Sequence, residues 1–199
     1  MTGSAAAIIA GGRGTRLGGL AKGLMTVDGQ RIIDRQRQAL QAVFAHVVVI
    51  ANDPVAWRET GLPVVADRVA DVGPLAGIDA ALAALADRAT DVVCVAADMP
   101  FLEPALLRLL RDHAAGADAV VPRVAGNPEP LLARYAVRLS PLVAAQLGSG
   151  DFALHRFLQR LPVIWLDEPA LRVVDPSLRS FTNVNTPADW KAAEAAGRQ

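Results

Sequence analysis

A glycine-rich basic loop near the start of the chain constrains the fold more than any other stretch. The apolar run Ala5–Ala10 predicts a buried strand, and it leads directly into residues 11–22, which read GGRGTRLGGLAK. An amphipathic segment that begins at about Gln30 predicts a helix. Glycines let backbone N–H groups approach a ligand closely, and clustered N–H groups beside cations bind anions. The strand, loop and helix therefore indicate a site for the phosphate groups of a nucleotide.

Two common phosphate-binding motifs do not fit this loop. A Walker loop requires serine or threonine directly after its lysine, but Gly23 follows Lys22. The dinucleotide motif G-x-G-x-x-G, counted from Gly12, would require glycine where Leu17 stands. The remaining string, A-G-G-x-G-T-R-L-G-G-x-x-K, resembles the signature loop of nucleotidyltransferases that share the nucleotide-diphospho-sugar-transferase type of fold.

Apolar runs alternate with helical patterns along the whole chain. The predicted strands are Ala6–Ala10, Val47–Ala51, Pro63–Ala66, Val92–Ala96, Ala119–Val121 and Val163–Leu166. The predicted helices are Arg31–Phe44, Leu75–Asp87, Pro104–Ala115, Pro141–Leu147, Phe152–Arg160 and Pro187–Ala196. Continuous apolar strands are typical of a parallel sheet that is covered on both faces. We therefore predict an α/β fold with a doubly wound, mostly parallel sheet and helices on both faces, a Rossmann-like arrangement.

Length and composition limit the domain organisation and the classes of partner. The 199 residues suit a single domain, in which we expect a nucleotide-binding half over residues 1–100 and an acceptor-binding half over 101–199. The formal net charge of zero disfavours a nucleic-acid or membrane-surface binder. One cysteine, Cys94, permits no disulfide within the chain. Without a long apolar run or a basic leader, we expect a soluble, cytoplasmic protein, and we expect it to be a monomer.

Polar residues follow the predicted strands at their carboxyl ends, where open α/β sheets bind ligands. Asp98 could bind Mg²⁺ beside phosphates, or it could form a turn or helix cap. Asp67 is a weaker candidate of the same kind, and Asn52 could contact a base or sugar or form an Asx turn. Lys22 could neutralise phosphate charge or be a solvated surface lysine; no other lysine precedes Lys191.

Three further stretches are candidates for ligand contacts. Gly77 lies near the start of a predicted helix, where the absence of a Cβ atom would permit close approach of a base or ribose. Glu129 lies in a predicted exposed turn that leads into a strand or helix, and it could face an acceptor. Asn183 and Asn185 precede a helix that Thr186 is expected to cap, so turn chemistry explains much of that stretch without a function.

Taken together, these stretches resemble one family, the molybdenum cofactor guanylyltransferases, over nearly the whole chain. The combination of the loop with the G-P-L-A-G and N-x-N-T-P motifs, in this order, is more specific than the loop alone. The residues that carry the resemblance are Ile9–Gly12, Arg16–Gly19, Lys22–Leu24, Asn52, Asp67, Gly73–Gly77, Asp98–Pro100, Glu129–Leu131 and Phe181–Pro187.

The resemblance implies transfer of GMP from GTP to molybdopterin that carries molybdenum, with release of pyrophosphate and a requirement for Mg²⁺. It implies that Ile9, Ala10, Gly11 and Gly12 contact guanine and phosphates, that Arg16 and Lys22 neutralise phosphates, that Asn52 and Asp67 belong to the nucleotide site, and that Asp98 holds the metal. Arg134 and the region after Glu129 would face the pterin, as would Asn183 and Asn185. Cofactor-delivery proteins or molybdoenzyme targets are the implied protein partners.

The chain departs from the family pattern at a few positions, and other functions stay open. Ala21 stands where an acidic residue usually precedes the loop lysine, and residues 148–152 do not match the expected acceptor side. The related cytidylyltransferase tends to have A-A-G in place of Ala10-Gly11-Gly12. A sugar-1-phosphate nucleotidyltransferase usually has a longer loop with a Pro-Lys pair. A catalytically inactive nucleotide-binding regulator is disfavoured by the retention of Lys22 and Asp98.

Overall fold

A mixed, mostly parallel sheet of eight strands forms the centre of the molecule. The computed structural model describes residues 3–10, 16–17, 20–69 and 72–197. The strands are β1 Ser4–Ile9, β2 Arg16–Leu17, β3 Leu20–Ala21, β4 Thr26–Val27, β5 Gln30–Arg31, β6 Val47–Ile50, β7 Val64–Val65, β8 Asp91–Ala96, β9 Ala119–Val124, β10 Asn127–Pro128, β11 Leu132–Ala136 and β12 Val163–Asp167. The main sheet has the order β10-β9-β11-β8-β1-β6-β7, with β12 paired to β9, whereas β2-β3 and β4-β5 form two separate two-stranded antiparallel sheets.

Strand direction divides the sheet into two parts. β1 is parallel to both of its neighbours, β6 and β8, and β7 extends this parallel part beyond β6. β11 is antiparallel to β8 and to β9, and β10 is antiparallel to β9, whereas β12 is parallel to β9. The carboxyl ends of β1, β6, β7 and β8 therefore meet at one edge of the sheet, as the sequence predicts.

Helices cover both faces of the sheet. They are α1 Ile32–Gln41, α2 Pro54–Trp57, α3 Pro74–Ala84, α4 Pro104–Asp112, α5 Ser140–Gly148, α6 Leu154–Gln159, α7 Glu168–Arg172 and α8 Pro187–Gly197. The alternation of β1 side chains separates two cores: Ala5, Ala7 and Ile9 pack with α3, α5 and α6. Ala6 and Ile8 pack with α1 and α4 on the opposite face. Burial on both faces explains why β1 is apolar at every position after Ser4.

The predicted fold class is confirmed, and the differences concern individual elements. All six predicted strands and all six predicted helices are present, with ends that shift by one to a few residues. The segment that forms β11 was expected to be a strand or a helix and is a strand, whereas the short strands β2–β5 and β10 and the helices α2 and α7 were not predicted. Across the described part of the chain, no helix has both the length and the apolar character needed to cross a membrane.

Candidate active site

The parallel part of the sheet brings the predicted polar residues to one edge. Ala10 follows β1 and donates its N–H to Ile50 O at 2.8 Å, and Ala97 follows β8 and donates to Ile9 O at 3.1 Å. These hydrogen bonds continue the strand pairing beyond the strand ends. Asn52, Asp67 and Asp98 follow β6, β7 and β8. The strand pairing therefore fixes the position of the backbone from which each of these side chains extends.

Lys22 is held inside this edge and is not a solvated surface lysine. Its side chain is 11% exposed, and its Nζ donates to Asn185 Oδ1 at 2.6 Å and lies 3.8 Å from Asp98 Oδ2. The lysine opens a 3-10 turn, and the next residue, Gly23, packs tightly against Ala97, the residue after β8, and against Trp57. A Cβ atom at Gly23 would lie 2.9 Å from Ala97 O and 2.7 Å from the Trp57 ring. Glycine at this position therefore lets the lysine backbone approach the turn that carries Asp98.

Asp98 is a partly buried carboxylate whose backbone is anchored. Its carbonyl oxygen accepts a hydrogen bond from Val184 N at 2.9 Å, and its Oδ1 atom is buried with no hydrogen-bond partner among the described residues. Burial raises the pKa of the Asp98 carboxyl, and the nearby Lys22 ammonium acts in the opposite direction. The alternative that Asp98 caps the next helix is not supported, because Glu103 is the N-terminal cap residue of α4.

The donor set at Asp98 fits a magnesium ion better than a transition metal. Within the ranges that the structure describes, no three His, Cys, Asp or Glu side chains form a metal-binding cluster. Mg²⁺ typically takes one or two protein carboxylates and completes its octahedron with water and substrate phosphates. The unsatisfied Oδ1 atom of Asp98 is a suitable single carboxylate ligand for such an ion.

Asn52 and Asp67 form a reciprocal pair beside the end of β1. Asn52 Nδ2 donates to Asp67 Oδ2 at 3.0 Å, and Asp67 N donates to Asn52 Oδ1 at 2.9 Å. The predicted Asx turn does not form from Asn52; instead Asp53 caps α2 by accepting from Ala56 N. Because both ends of the Asn52 amide bind Asp67, Asn52 orients Asp67, and any base contact from Asn52 must use its remaining N–H or lone pairs.

Gly77 brings the first turns of α3 close to the end of β1. A Cβ atom at Gly77 would lie 2.6 Å from Ile9 Cγ2 and 3.8 Å from Asp67 Oδ1. Side chains larger than hydrogen are therefore excluded at this position unless Ile9 moves. The structure thus brings together Ile9, Asp67 and Gly77, three of the predicted nucleotide-site residues.

A buried carboxylate on α3 was missed by the sequence analysis. Asp79 is 2% exposed, and its Oδ1 lies 3.5 Å from Arg68 Nη1. Burial raises the pKa of the Asp79 carboxyl, and the Arg68 guanidinium partly opposes this shift. This ion pair connects Arg68, which follows Asp67, to α3, the helix that carries Gly77. The signal in the sequence is an acid within the otherwise apolar stretch Leu75–Leu82.

Of the residues predicted to contact the acceptor, Asn185 and Glu129 lie beside the parallel strand ends. Asn185 contacts Lys22 directly. Glu129 follows the β9-β10 hairpin, close to Leu131, whose carbonyl accepts from Ala96 N at 2.7 Å. Burial raises the pKa of the Glu129 carboxyl. The Asn183 side chain makes a local hydrogen bond to Phe181 O at 3.4 Å, in agreement with the turn alternative.

The placement of Arg134 at the acceptor side is wrong. The residue lies on β11 and is 1% exposed, and its guanidinium donates to Arg111 O, His113 O and Ala114 O at the end of α4. Its Nη1 also lies 3.9 Å from Asp91 Oδ1, at the amino end of β8. Because α4 and β8 run in opposite directions, this is the edge of the sheet opposite to Asp98. Arg134 is a buried structural cation.

Three predicted site residues lie wholly or partly outside the part of the chain that the structure describes. Gly11 and Gly12 lie outside the described residues. Arg16 belongs to the short strand β2, whose backbone pairs with Ala21, but its side chain lies outside the described part of the structure. Their roles stay predictions from the sequence.

Comparisons with known proteins identify the family of this chain. Residues 6–164 match the family described as the MobA-like NTP transferase domain. A molybdenum cofactor guanylyltransferase from Desulfosudis oleivorans is 33% identical over 193 residues, which cover 95% of this chain and 93% of that protein. A probable molybdenum cofactor guanylyltransferase from Natronomonas pharaonis is 38% identical over 195 residues and covers 94% of both chains.

Solved structures show the same fold. The crystal structure of molybdopterin-guanine dinucleotide biosynthesis protein A from Archaeoglobus fulgidus has 31% sequence identity and a TM-score of 0.83, and the match covers 97% of this chain and 98% of that one. At 17% identity and a TM-score of 0.69, a 2-C-methyl-D-erythritol 4-phosphate cytidylyltransferase from Thermus thermophilus shows likeness of fold alone. On its sequence, its fold and the family match across most of its length, the chain belongs to the family of MobA-like NTP transferase domains.

Proposed function

We propose that this protein is a guanylyltransferase that transfers GMP from GTP to the molybdopterin form of the molybdenum cofactor and releases pyrophosphate. The observation that carries the proposal is the contact of Lys22 with Asn185 and Asp98 at the carboxyl edge of the sheet. The names of the relatives at 33% and 38% identity support the choice of donor and acceptor. Relatives that cover more than nine-tenths of the chain favour this function over the cytidylyl and sugar-phosphate alternatives.

The reaction requires positioning and charge neutralisation more than a covalent nucleophile. The terminal phosphate of the pterin attacks the α-phosphorus of GTP, a new P–O bond forms, and the bond to the β-phosphate oxygen breaks as pyrophosphate leaves. The attacking oxygen is already anionic, so a strong general base is not needed. In this proposal Lys22 would neutralise charge that develops on the phosphate chain, and Arg16 would be a second cation from the glycine-rich loop. Asn185 orients the lysine ammonium through their 2.6 Å hydrogen bond.

Asp98 is the residue that would hold Mg²⁺ in this reaction. When bound, the ion would neutralise charge on the phosphates of GTP. The chain contributes a partly buried carboxylate whose backbone carbonyl accepts from Val184 N, with one carboxylate oxygen left unsatisfied. Lys22 lies close enough to Asp98 to stabilise its ionised form.

The nucleotide pocket is proposed to extend from the loop to the start of α3. Ile9, Ala10, Gly11 and Gly12 would contact guanine and phosphates, and Gly77 would leave space for the base beside Ile9. Asp67, oriented by Asn52, presents a carboxylate next to this space, and a carboxylate can accept hydrogen bonds from the N–H groups of guanine. This arrangement supports the proposal that the site prefers guanine, a purine whose N–H groups can donate to the Asp67 carboxylate.

The acceptor is proposed to bind on the side of Glu129 and Asn185, with Asn183 in the same C-terminal stretch. This assignment corresponds to a nucleotide-binding half over residues 1–100 and an acceptor-binding half over 101–199. We further propose that the protein acts in the cytoplasm as a monomer and passes its product to a cofactor-delivery protein or a molybdoenzyme. Neither nucleic acid nor a membrane has a part in this function.

The proposal is tested by calorimetric titration of GTP, CTP, ATP and UTP into the purified protein with Mg²⁺. We expect selective binding of GTP, and release of pyrophosphate when GTP and molybdenum cofactor are both supplied. Asp98→Asn should weaken the dependence of GTP binding on Mg²⁺, because the variant lacks an ionised ligand. Asp112→Asn, at an exposed acid on the opposite edge of the sheet, is the matched control and should bind as the wild type does.

Each alternative predicts a different titration. Preference for CTP would favour the cytidylyltransferase, and preference for UTP or ATP would favour a sugar-phosphate enzyme. Binding of GTP without turnover of any acceptor would favour a regulator that has lost catalysis.

A further inference from the structure

A buried glutamine lies on the helix that follows the glycine-rich loop. Gln36 is fully buried on α1, on the side of the helix that also buries Ile32, Ile33 and Leu40. Burying an amide among apolar side chains is unfavourable unless hydrogen bonds compensate for the loss of water. The contacts of this amide therefore indicate what the residue does.

The Gln36 amide links the two sides of the turn that carries Asp98. Its Nε2 donates to Ala96 O at 2.7 Å and to Met99 O at 3.0 Å. Both contacts cross more than fifty residues of sequence, from α1 to the segment after β8. Both amide N–H groups are thus committed to carbonyls on either side of residues 97 and 98.

The acceptor end of the same amide is left unsatisfied. Gln36 Oε1 is buried and has no hydrogen-bond partner among the described residues. A buried acceptor without a partner costs stability, so glutamine is not the side chain that packing alone would favour here. Its presence is explained if the two donated hydrogen bonds serve the Asp98 turn.

The other contacts of the turn do not replace those of Gln36. Ala97 N donates to Ile9 O, which fixes the turn on the β1 side, and Asp98 O accepts from Val184 N on the C-terminal side. In the described structure, the residue that holds carbonyls both before and after Asp98 is Gln36. Loss of its side-chain donors would leave two carbonyls unpaired and free the turn to rotate.

We propose that Gln36 is a positioning residue for the transfer reaction, and that it directs the Asp98 carboxylate towards Lys22 and the triphosphate by holding Ala96 O and Met99 O. This role rests on the proposed guanylyl transfer. The proposed role of Asp98 requires one of its carboxylate oxygens to point at the bound metal ion. A displacement of about 1 Å at a reacting centre can lower a rate by about a hundredfold. Gln36 itself is fully buried, so it is proposed to act through the turn and not by direct contact with substrate.

The first test compares Gln36→Met with Gln146→Met. Methionine keeps the length of the side chain and removes the donors. Gln146 is the matched control because it is a buried glutamine on α5, far from Asp98 along the chain, that donates to Ala153 O. For Gln36→Met we expect kcat to fall by about 10- to 100-fold with KM for GTP within about twofold of wild type, measured well below the melting temperature of each variant. Gln146→Met should lose stability without this fall in kcat.

A second readout does not depend on turnover. With GTP present, Mn²⁺ binding measured by electron paramagnetic resonance should weaken in Gln36→Met and stay unchanged in Gln146→Met. Equal kcat and equal Mn²⁺ affinity in wild type and Gln36→Met would overturn the positioning role. An equal fall in kcat for both variants would also overturn it, because it would show a general effect of lost stability.

Gln36→Glu tests the role if Gln36→Met does not fold. A buried carboxyl has a raised pKa, so at lower pH it is protonated and can donate one hydrogen bond, whereas its ionised form repels both carbonyls. We expect the kcat of Gln36→Glu, relative to wild type, to fall as the pH rises; a ratio that does not change with pH would overturn the role. Absence of pyrophosphate release by the wild type would instead reject the proposed function, whereas normal wild-type turnover with unaffected variants would reject the role of Gln36 alone.

Discussion

At the scale of single residues, the contacts of Lys22 explain how the protein stabilises a mostly buried ammonium group. An ammonium group loses hydration when it is buried, and here Asn185 supplies a neutral acceptor while Asp98 supplies the opposite charge at 3.8 Å. The longer distance to Asp98 leaves both groups able to interact with a third species. The arrangement suits a site that receives a phosphate chain and a divalent ion together.

Replacing Lys22 with methionine should remove this charge while keeping most of the packing volume. We expect kcat to fall by about 10²- to 10³-fold, because a single preorganised charge-stabilising group is worth that much in comparable sites. The measurement is pyrophosphate release under saturating GTP and acceptor. Lys191→Met is the matched control at an exposed position on α8, and it should behave as wild type. A similar loss in both variants would contradict the role of Lys22.

Residue-level prediction from the sequence succeeds where position follows from the strand-end rule. Asn52, Asp67 and Asp98 lie at one edge of the sheet because each follows a strand of its parallel part, and the apolar runs of those strands are visible in the local sequence. Arg134 was misplaced because nothing local distinguishes a buried arginine from one that faces a ligand. Gln36 was missed for a related reason: its partners are contributed by a distant strand end, and its neighbours on α1 read as an ordinary amphipathic helix.

At the scale of elements, α3 is unusual because its first turns contact the end of the central strand. The helix starts with Pro74, which suits the first turn, and Gly77 then permits contact with Ile9. Most of the helix is buried, so it has little freedom to move outward. The separation between α3 and β1 is therefore set at Gly77.

Gly77→Ala should force these two elements apart. Because the new methyl group would lie 2.6 Å from Ile9 Cγ2, we expect a loss of about 1–3 kcal/mol in the free energy of unfolding and weaker GTP binding. Urea denaturation and calorimetric titration measure the two effects. Combining Gly77→Ala with Ile9→Ala should cost less stability than the sum of the two separate losses, since the smaller side chain leaves room for the new methyl group.

Gly148→Ala is the control for the effect of adding a methyl group at a helical glycine. Gly148 ends α5, and a Cβ atom there would have no neighbour within 4 Å. Stability should stay the same or rise by about 0.4–1 kcal/mol, because alanine restricts the unfolded chain. Unchanged stability and GTP binding in Gly77→Ala would show that Ile9 adapts without cost.

Elements with strong patterns were predictable, and those that depend on distant pairing were not. The apolar runs of β1, β6 and β8 identify buried parallel strands directly. β11 has the sequence Leu-Ala-Arg-Tyr-Ala, in which an arginine interrupts a short apolar segment, and its strand pairing with β8 and β9 is non-local. The short helix α2 depends on the Asp53 cap and on burial of Trp57, and four residues are too few for a periodic pattern.

At the scale of the whole molecule, the two edges of the sheet have different tasks. The carboxyl edge carries Lys22, Asp67, Asp98 and Asn185. The amino edge carries Arg134, whose guanidinium satisfies three carbonyls at the end of α4 and faces Asp91. Cations at a helix C-terminus interact favourably with the last carbonyl groups. We therefore assign the amino edge to stability and the carboxyl edge to the proposed chemistry.

Arg134→Met tests this division of tasks. The variant leaves Asp91 without its buried counter-charge and removes the guanidinium donors from three carbonyls, so we expect a loss of about 3 kcal/mol in the free energy of unfolding. At a temperature where the variant is folded, KM for both substrates should stay near the wild-type value. Arg138→Met is the control, because that exposed arginine pairs with Asp118 at the surface and should cost less than about 1 kcal/mol. A raised KM for the acceptor with unchanged stability would return Arg134 to the acceptor site.

The hydrogen bond between Lys22 and Asn185 also sets the order in which the site is completed during synthesis. The two residues are 163 positions apart in the sequence. At about 5–20 residues per second, the ribosome adds Asn185 roughly 10–30 seconds after it adds Lys22. During that interval the first half of the sheet can form, but the lysine lacks its amide partner and Asp98 lacks its contact with Val184. A nascent chain should therefore acquire its fold before it acquires its activity, and GTP would meet a complete phosphate site only near the end of translation.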